Sequence, residues 1–143
     1  MVLVRIQKPG LLELAEQDRG PLGEGNVRLR MESVGICGSD LALMAGTHPY
    51  AHYPVTPGHE LAGRVLEASH QNKVEVGQLV TVRPTRTCGT CPACLDHRLN
   101  HCPDVAVLGV HIDGGMAEEL VVSADLVYPC SDEITADQAA IVE

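Results

Sequence analysis

The sequence has no phenylalanine, no tryptophan and only three tyrosines among its 143 residues. A hydrophobic core in this chain must therefore consist of aliphatic side chains, and the β-branched members of that set favour strands. A chain of this length forms one domain that buries about two thirds of its unfolded surface. The composition predicts a single, mainly β domain with an aliphatic core.

Basic residues and long apolar runs are also scarce. The chain has ten Lys and Arg residues and nineteen Asp and Glu residues, which gives a net charge of -9 at pH 7. Because phosphate binding depends mainly on Lys and Arg, we expect no nucleic-acid partner. The N-terminal Met-Val-Leu-Val is interrupted at Arg5, and no apolar run approaches the roughly 18 residues of a spanning helix. We therefore expect no signal peptide, no membrane partner and a cytoplasmic location.

Short alternating segments lie between recurrent turn residues. Val27, Leu29 and Met31 alternate with polar residues, which is the period of a half-buried strand. Further strands are predicted at 61–66, 80–82 and 118–122. Together these segments predict a small, strongly curved β-barrel with a few short helices.

Four cysteines form the densest motif of the chain, with the spacing Cys-x2-Cys-x2-Cys-x7-Cys. They are Cys88, Cys91, Cys94 and Cys102. Four thiolates in a tetrahedron suit a structural zinc and leave no position for a substrate. Disulfides and a [4Fe–4S] cluster are the alternatives. A reducing cytosol disfavours disulfides, and the usual bacterial iron–sulfur motif has three residues before its last cysteine rather than seven.

Two shorter motifs supply a second set of metal donors. They are Gly35-Ile-Cys37-Gly38-Ser39-Asp40 and Pro57-Gly58-His59-Glu60. Each alone has an ordinary explanation, as a packed cysteine with a helix cap or as a solvated loop. Together, a cysteine, a histidine and a carboxylate suit a catalytic zinc, which takes about three protein ligands and keeps one open position. Among the other histidines, we expect His48 and His52 to face a cleft.

The C-terminal segment predicts a helix. Thr135 and Gln138 have capping-box spacing, so a helix should begin at about Ala136. No Gly, Pro or basic residue closes this helix before Glu143. We therefore expect residues 1–143 to be the N-terminal part of a longer chain.

Three of these motifs together resemble the zinc-dependent medium-chain alcohol and polyol dehydrogenases. The resemblance rests on Val34-Gly-Ile-Cys37-Gly-Ser-Asp40, on Tyr53-Pro-Val-Thr-Pro-Gly-His59-Glu60-Leu-Ala-Gly63 and on the four cysteines, in the order of that family. The segments 50–54 and 106–115 are most similar to its sugar-acid branch, which acts on galactonate or idonate. The resemblance implies that residues 1–143 form a GroES-like catalytic β-barrel domain, followed in the whole enzyme by a Rossmann domain that binds NAD or NADP.

The resemblance also implies roles for individual residues. Cys37 and His59 would bind a catalytic zinc, with Glu60 as a ligand or just behind the metal. Asp40 would orient His59, and Ser39 would lie next to the oxygen of a small-molecule alcohol and pass its proton outward. Members with a polyol-type site carry a further zinc-binding glutamate where this chain has Glu143. The four cysteines would hold a structural zinc, and the whole enzyme would be a homo-oligomer.

Two departures from the family pattern are visible. Many members have a histidine for proton transfer at the position of Ala42. No Gly-x-Gly-x-x-Gly nucleotide-binding motif occurs in the 143 residues, so we expect this chain alone to be inactive. The alternative functions are a structural zinc module without catalysis and a zinc hydrolase. A deaminase requires His-x-Glu, whereas His59 and Glu60 are adjacent.

Overall fold

A computed structural model describes residues 1–69 and 73–142. Its strands are β1 Val2–Lys8, β2 Leu11–Glu16, β3 Asn26–Val34, β4 Leu61–Ala68, β5 Leu79–Val82, β6 Thr85–Arg86, β7 Ala106–Val107, β8 Glu119–Ser123 and β9 Val127–Pro129. Its helices are α1 Gly38–Ala45, α2 Pro92–Leu95 and α3 Ala136–Ala140, with short 3-10 turns at Leu99–His101 and Ala124–Leu126. The mainly β fold with a few short helices is confirmed.

Five antiparallel strands form the main sheet, in the order β8-β3-β4-β5-β9. The strands predicted at 27–32, 61–66, 80–82 and 118–122 correspond to β3, β4, β5 and β8. The pairing of β3 with β4 shifts register twice, between Arg28 and Leu29 and between Met31 and Ser33. Such bulges bend a strand and increase its twist, which is how a short sheet becomes strongly curved.

The core under this sheet is entirely aliphatic, as the lack of aromatic residues predicted. Its buried members are Val27, Leu29, Leu61, Val65, Val74, Val80, Val82, Leu108, Leu120, Val122, Leu126 and Val127. They come from β3, β4, β5, β8 and β9 and from the loops between them. This core fixes the start of β4, which directly follows His59 and Glu60.

Arg28 departs from the predicted alternation, because it is only 3% exposed although it was expected on the polar face. Its guanidinium donates to the carbonyl of Gly20 at 2.6 Å and to the Glu67 carboxylate at 3.1 Å. Glu119 lies 3.7 Å away. A buried charge is tolerated when it is paired and hydrogen-bonded in this way.

The N-terminal hairpin of β1 and β2 joins the rest of the fold through isolated bridges. Leu3 pairs with Ala117, and Ile6 pairs with Val55. A second small core, formed by Ile6, Leu43, Val55 and Val110, packs β1 against α1 and the loops that flank it. The hairpin therefore supports the helix that begins beside Cys37.

Helix α3 begins at Ala136, as the capping box predicted. Thr135 Oγ1 accepts from the amide of Gln138 at 3.2 Å, and Gln138 Oε1 accepts from the amide of Thr135 at 2.9 Å. Ala139 and Ala140 are buried against Ala62 and Leu79. Glu143, predicted as a zinc ligand, lies outside the described residues. Within the described chain, no helix is long and apolar enough to cross a membrane.

Candidate metal centres

The first centre brings together three donors that are far apart in sequence. Cys37 precedes α1, whereas His59 and Glu60 lie in the turn before β4. One ligand atom from each of these residues lies within 4.8 Å of the others. Thiolate, imidazole and carboxylate in one place are a donor set that zinc accepts. The predicted grouping of Cys37, His59 and Glu60 therefore exists in the structure.

A glycine makes room for the carboxylate of Glu60. The amide of Gly35 donates to the carbonyl of Glu60 at 2.8 Å, so the two backbones are in contact. A Cβ atom at position 35 would lie 2.8 Å from Glu60 Cβ and would overlap the Glu60 carboxylate. Only a residue without a side chain fits beside Glu60 here. The Gly35-x-Cys37 motif thus positions a carboxylate as well as a thiol.

Close packing of glycines fixes the turn that carries His59. Gly58 has φ of 96°, a conformation that favours glycine. The amide of Gly115 donates to the carbonyl of Gly58 at 3.0 Å, and the amide of Met116 donates to that of Pro57 at 3.0 Å. A Cβ atom on Gly114 would overlap the Gly58 carbonyl oxygen. The loop that contains Gly114 and Gly115 therefore holds the His59 turn in place.

Asp40 connects the two loops of this centre. Its carboxylate accepts from the amide of Cys37 at 2.8 Å and from the amide of Gly58 at 3.1 Å. The side chain is 5% exposed, so both hydrogen bonds are shielded from water. Asp40 Oδ1 lies 3.9 Å from His59 Nδ1, beyond hydrogen-bond distance. Asp40 thus positions His59 indirectly, through its hydrogen bond with the amide of Gly58, the residue before His59.

The surroundings of Cys37 favour its ionised form. The pKa of the Cys37 thiol is lowered, mainly by hydrogen bonds from the backbone and from the side chain of Ser39. The contact with His59 lowers this pKa further. The thiolate is the form that binds metal. Ser39 Oγ lies 3.5 Å from His59 Nε2. Ser39 therefore lies beside the donors of this centre.

The second centre is the four-cysteine cluster. Its four sulfurs lie within 4.8 Å of one another, and Cys94 and Cys102 are buried. The sulfur of Cys88 is 3.9 Å from that of Cys94 and 3.6 Å from that of Cys102. A zinc with Zn–S bonds of about 2.3 Å requires sulfur–sulfur edges of about 3.8 Å. The cluster therefore has the dimensions of a tetrahedral zinc site.

Backbone amides point at these sulfurs. The amide of Cys91 donates to the sulfur of Cys88 at 3.4 Å, and the amide of Cys94 donates to the sulfur of Cys91 at 3.5 Å. The amide of Cys88 donates to the sulfur of Cys102 at 3.4 Å. Backbone hydrogen bonds from Thr90 and Cys91 lower the pKa of the Cys88 thiol to about 6. All six cysteines of the chain lie in its described part and are free thiols. The structure thus has no disulfide in this cluster. The backbone amides that donate to the sulfurs favour the thiolate forms that a metal requires.

Two features of the loops around the first centre were not predicted. The loop 109–116 carries the glycines that hold the His59 turn, and its His111 lies beside Tyr50 and His52. The repeated glycines of this loop suggested only a turn. Tight glycine packing depends on contacts between residues more than fifty positions apart, which no local pattern indicates.

Known proteins are similar to this chain in sequence and in fold. Residues 23–132 match the family described as the alcohol dehydrogenase GroES-like domain. A zinc-type alcohol dehydrogenase-like protein of Haemophilus influenzae is 37% identical over 140 residues, which cover 96% of this chain and 41% of that protein. The L-galactonate-5-dehydrogenase of Escherichia coli is 35% identical over 138 residues, covering 96% of this chain and 40% of that enzyme.

A solved structure agrees with these sequence matches. The crystal structure of an alcohol dehydrogenase from Escherichia coli CFT073, complexed with the cofactor NADH, superposes with a TM-score of 0.92 at 33% identity. The superposition covers 100% of this chain and 42% of that one. The chain thus spans about two fifths of the length of the proteins it matches.

Proposed function

The chain belongs to the alcohol dehydrogenases with a GroES-like domain, and on this premise we propose that it is the catalytic domain of a zinc-dependent dehydrogenase. The proposed enzyme oxidises a secondary alcohol of a sugar, polyol or sugar acid and transfers hydride to NAD or NADP. The observation that carries this proposal is the meeting of Cys37, His59 and Glu60 within 4.8 Å.

The residues of this centre fit a catalytic zinc. Three protein donors are what such a site uses, so one coordination position remains for a substrate oxygen. Gly35 leaves space for the Glu60 carboxylate, and the lowered pKa of Cys37 favours the thiolate that a metal binds. When bound, the zinc would act as a Lewis acid that makes the alcohol proton easier to remove. The four cysteines would hold a second, structural zinc.

The side chains around the centre have separate tasks. Ser39 Oγ lies 3.5 Å from His59 Nε2, so we propose that it receives the alcohol proton. Asp40 fixes the backbone on both sides of the centre. Ala42 lies on α1 about one turn beyond Ser39 and has no group that could accept a proton. The proton therefore leaves Ser39 by a route other than residue 42.

The hydride acceptor requires a second binding region. The 143 residues contain no Gly-x-Gly-x-x-Gly motif. The Escherichia coli CFT073 relative, of which this chain spans 42%, was crystallised with NADH. We propose that the nicotinamide nucleotide binds to a Rossmann domain outside these residues and that residues 1–143 alone are inactive. The whole enzyme would be a cytoplasmic homo-oligomer with no nucleic-acid or membrane partner.

The proposed substrate class follows from the similarity to L-galactonate-5-dehydrogenase. The test is an assay of the whole enzyme with L-galactonate, sorbitol and butane-2,3-diol, with NAD or NADP as the acceptor. We expect nucleotide reduction with at least one of these alcohols and its loss in a His59→Ala variant. Unchanged activity in that variant, or activity with none of the alcohols, would reject the proposed function.

A further inference from the structure

Asp113 is not one of the metal donors, but it contacts the segment that leads to His59. Its Oδ1 atom accepts a hydrogen bond from the amide of Thr56 at 2.7 Å. Thr56 is three residues before His59 and is only 1% exposed, so water does not compete for this amide. An exposed aspartate thus supplies the acceptor for a buried amide close to the first centre.

Backbone amides next to Asp113 hold the carbonyl groups of the same segment. The carbonyl of Thr56 accepts from the amide of Gly114 at 2.7 Å. The carbonyls of the next two residues accept from the amides of Met116 and Gly115, each at 3.0 Å. These three hydrogen bonds join backbone atoms and do not require a particular side chain at position 113. They would keep the two loops together if that side chain were replaced.

The amides of the segment 56–58 depend instead on two aspartate side chains. Pro57 has no N–H group, so the segment has two amides. The amide of Gly58 donates to Asp40 at 3.1 Å. The amide of Thr56 donates to Asp113. A buried amide without an acceptor is costly, so each carboxylate fixes one end of the segment. Asp113 is the counterpart of Asp40 at the end that is remote from the metal donors.

Arg5 on β1 holds the other oxygen of the Asp113 carboxylate. Arg5 Nη2 donates to Asp113 Oδ2 at 3.3 Å. The Arg5 side chain is 23% exposed and the Asp113 side chain 55% exposed. An ion pair at such exposure contributes little to folding stability. Its effect is on orientation, because it leaves Oδ1 directed towards the amide of Thr56.

Strand β1 fixes the position of Arg5. The amide of Val4 donates to the carbonyl of Met116 at 2.8 Å. Ile6 and Val55 exchange two hydrogen bonds, of 2.9 and 3.0 Å. Arg5 lies between these two contacts, where the loop 109–116 and the segment before the His59 turn both meet β1. The guanidinium is therefore in place before a metal or a substrate binds.

The flexibility of Gly58 makes this support necessary. Gly58 has φ of 96°, and glycine can adopt many other backbone conformations. If the amide of Thr56 lost its acceptor, only the hydrogen bond to Asp40 would hold an amide of this segment. The carbonyl hydrogen bonds would preserve the fold, but the turn could shift and carry His59 with it.

We propose that Asp113, oriented by Arg5, is a positioning residue for the proposed reaction. It fixes the segment 56–58 in the arrangement in which the His59 imidazole meets the other two donors of the first centre. Asp113 acts through the backbone and is not itself a metal donor. The inference rests on the proposed function, in which His59 binds the catalytic zinc.

Cobalt(II) in place of zinc in the whole enzyme tests the position of His59 without an activity assay. The visible absorption of cobalt depends on the number and the geometry of its ligands. The His59→Ala variant gives the spectrum of the four-cysteine centre, and its subtraction gives that of the first centre. We expect Asp113→Ala to change the spectrum of the first centre. The same substitution in the His59→Ala background should change nothing. The exposed Asp132→Ala is the matched control and should leave both spectra unchanged.

A conservative variant separates the hydrogen bond from the charge. Asp113→Asn keeps an acceptor oxygen for the amide of Thr56, so its spectrum should lie close to that of the native enzyme. Equal changes in Asp113→Asn and Asp113→Ala would overturn the inference. If Asp113→Ala does not fold, Arg5→Ala replaces it in the test. Arg5→Ala keeps the acceptor without its support and should change the same spectrum to a smaller extent. An unchanged spectrum in Arg5→Ala would then reject the inference.

Kinetics of the whole enzyme separate this inference from the proposed function. Asp113→Ala should lower kcat about tenfold, as when a residue that orients a metal ligand is lost, with little change in KM. A lower melting temperature with a native cobalt spectrum and a native kcat would show a stabilising role only and overturn the inference. A changed spectrum in an enzyme whose native form oxidises no alcohol would reject the proposed function and keep the positioning role. Alcohol oxidation with an unchanged spectrum and kcat in Asp113→Ala would reject the positioning role and keep the function.

Discussion

The amide of Gly58 donates a 3.1 Å hydrogen bond to the carboxylate of Asp40, and this contact joins the two halves of the first metal centre. The other oxygen of the same carboxylate accepts from the amide of Cys37 at 2.8 Å. One buried side chain therefore sets the spacing between the loop of Cys37 and the turn of His59. The geometry of the centre depends on this link even though Asp40 need not touch a metal.

An Asp40→Asn variant tests the link. The substituted amide keeps one acceptor oxygen but turns an NH2 group towards a backbone N–H, so one buried donor loses its partner. We expect the free energy of unfolding to fall by about 1–3 kcal/mol in urea titrations. The exposed Asp132→Asn is the control and should change stability by about 0.5 kcal/mol or less. Equal stabilities of the two variants would show that the carboxylate does not bridge the loops.

A Gly35→Ala variant tests the space beside Glu60. The new Cβ would overlap the Glu60 carboxylate and displace it from Cys37 and His59. We expect zinc affinity at this centre to fall about 10- to 100-fold, as when an orienting neighbour is lost. Gly38→Ala is the matched control, because a Cβ there meets nothing within 4 Å. Competition with a zinc-binding dye measures both variants, and identical affinities would contradict the account.

A Gly114→Ala variant tests the packing behind His59. The added methyl group would overlap the carbonyl oxygen of Gly58, so the turn must move. Overpacking of this kind costs about 1–3 kcal/mol of folding stability. Gly20→Ala serves as the comparison, since position 20 is open. If thermal unfolding of Gly114→Ala matched that of Gly20→Ala, the two loops could not be in the contact described.

A Cys91→Ser variant tests the structural role of the four-cysteine cluster. Loss of one thiolate removes a ligand from a tetrahedral set, and the loop 88–102 contains only one four-residue helix and one 3-10 turn, which are too short to be stable without the metal. We expect a lower melting temperature and faster proteolysis within this loop. Cys130→Ser, outside the cluster, should show neither effect. A Cys91→Ser protein with full zinc content and an unchanged melting temperature would refute the role.

The sequence predicted those parts of the molecule that depend on local spacing. Four cysteines within a short segment, the alternation in β3 and the capping box at Thr135 each depend on neighbours in the chain. The grouping of Cys37 with His59 and Glu60 was predicted from their chemistry as metal donors and then from the family resemblance. Neither motif alone indicated that their loops meet.

The features that the sequence did not predict depend on remote contacts. Arg28 is buried because Glu67 and Glu119 reach it from two other strands, which an alternating pattern cannot show. His111 joins His52 only because the second small core holds their loops together. The Leu-rich strand β2 has three exposed leucines and no regular alternation, so periodicity gave no signal for it.

Counting zinc per chain by native mass spectrometry tests the central claim, that the chain contains a three-donor centre in addition to the four-cysteine centre. The account predicts two zinc ions in the native chain. It predicts one in His59→Ala, because the four-cysteine centre is independent of that residue, and one in Cys91→Ser. A native chain that bound only one zinc, retained in His59→Ala and lost in Cys91→Ser, would contradict the claim and leave a structural zinc module.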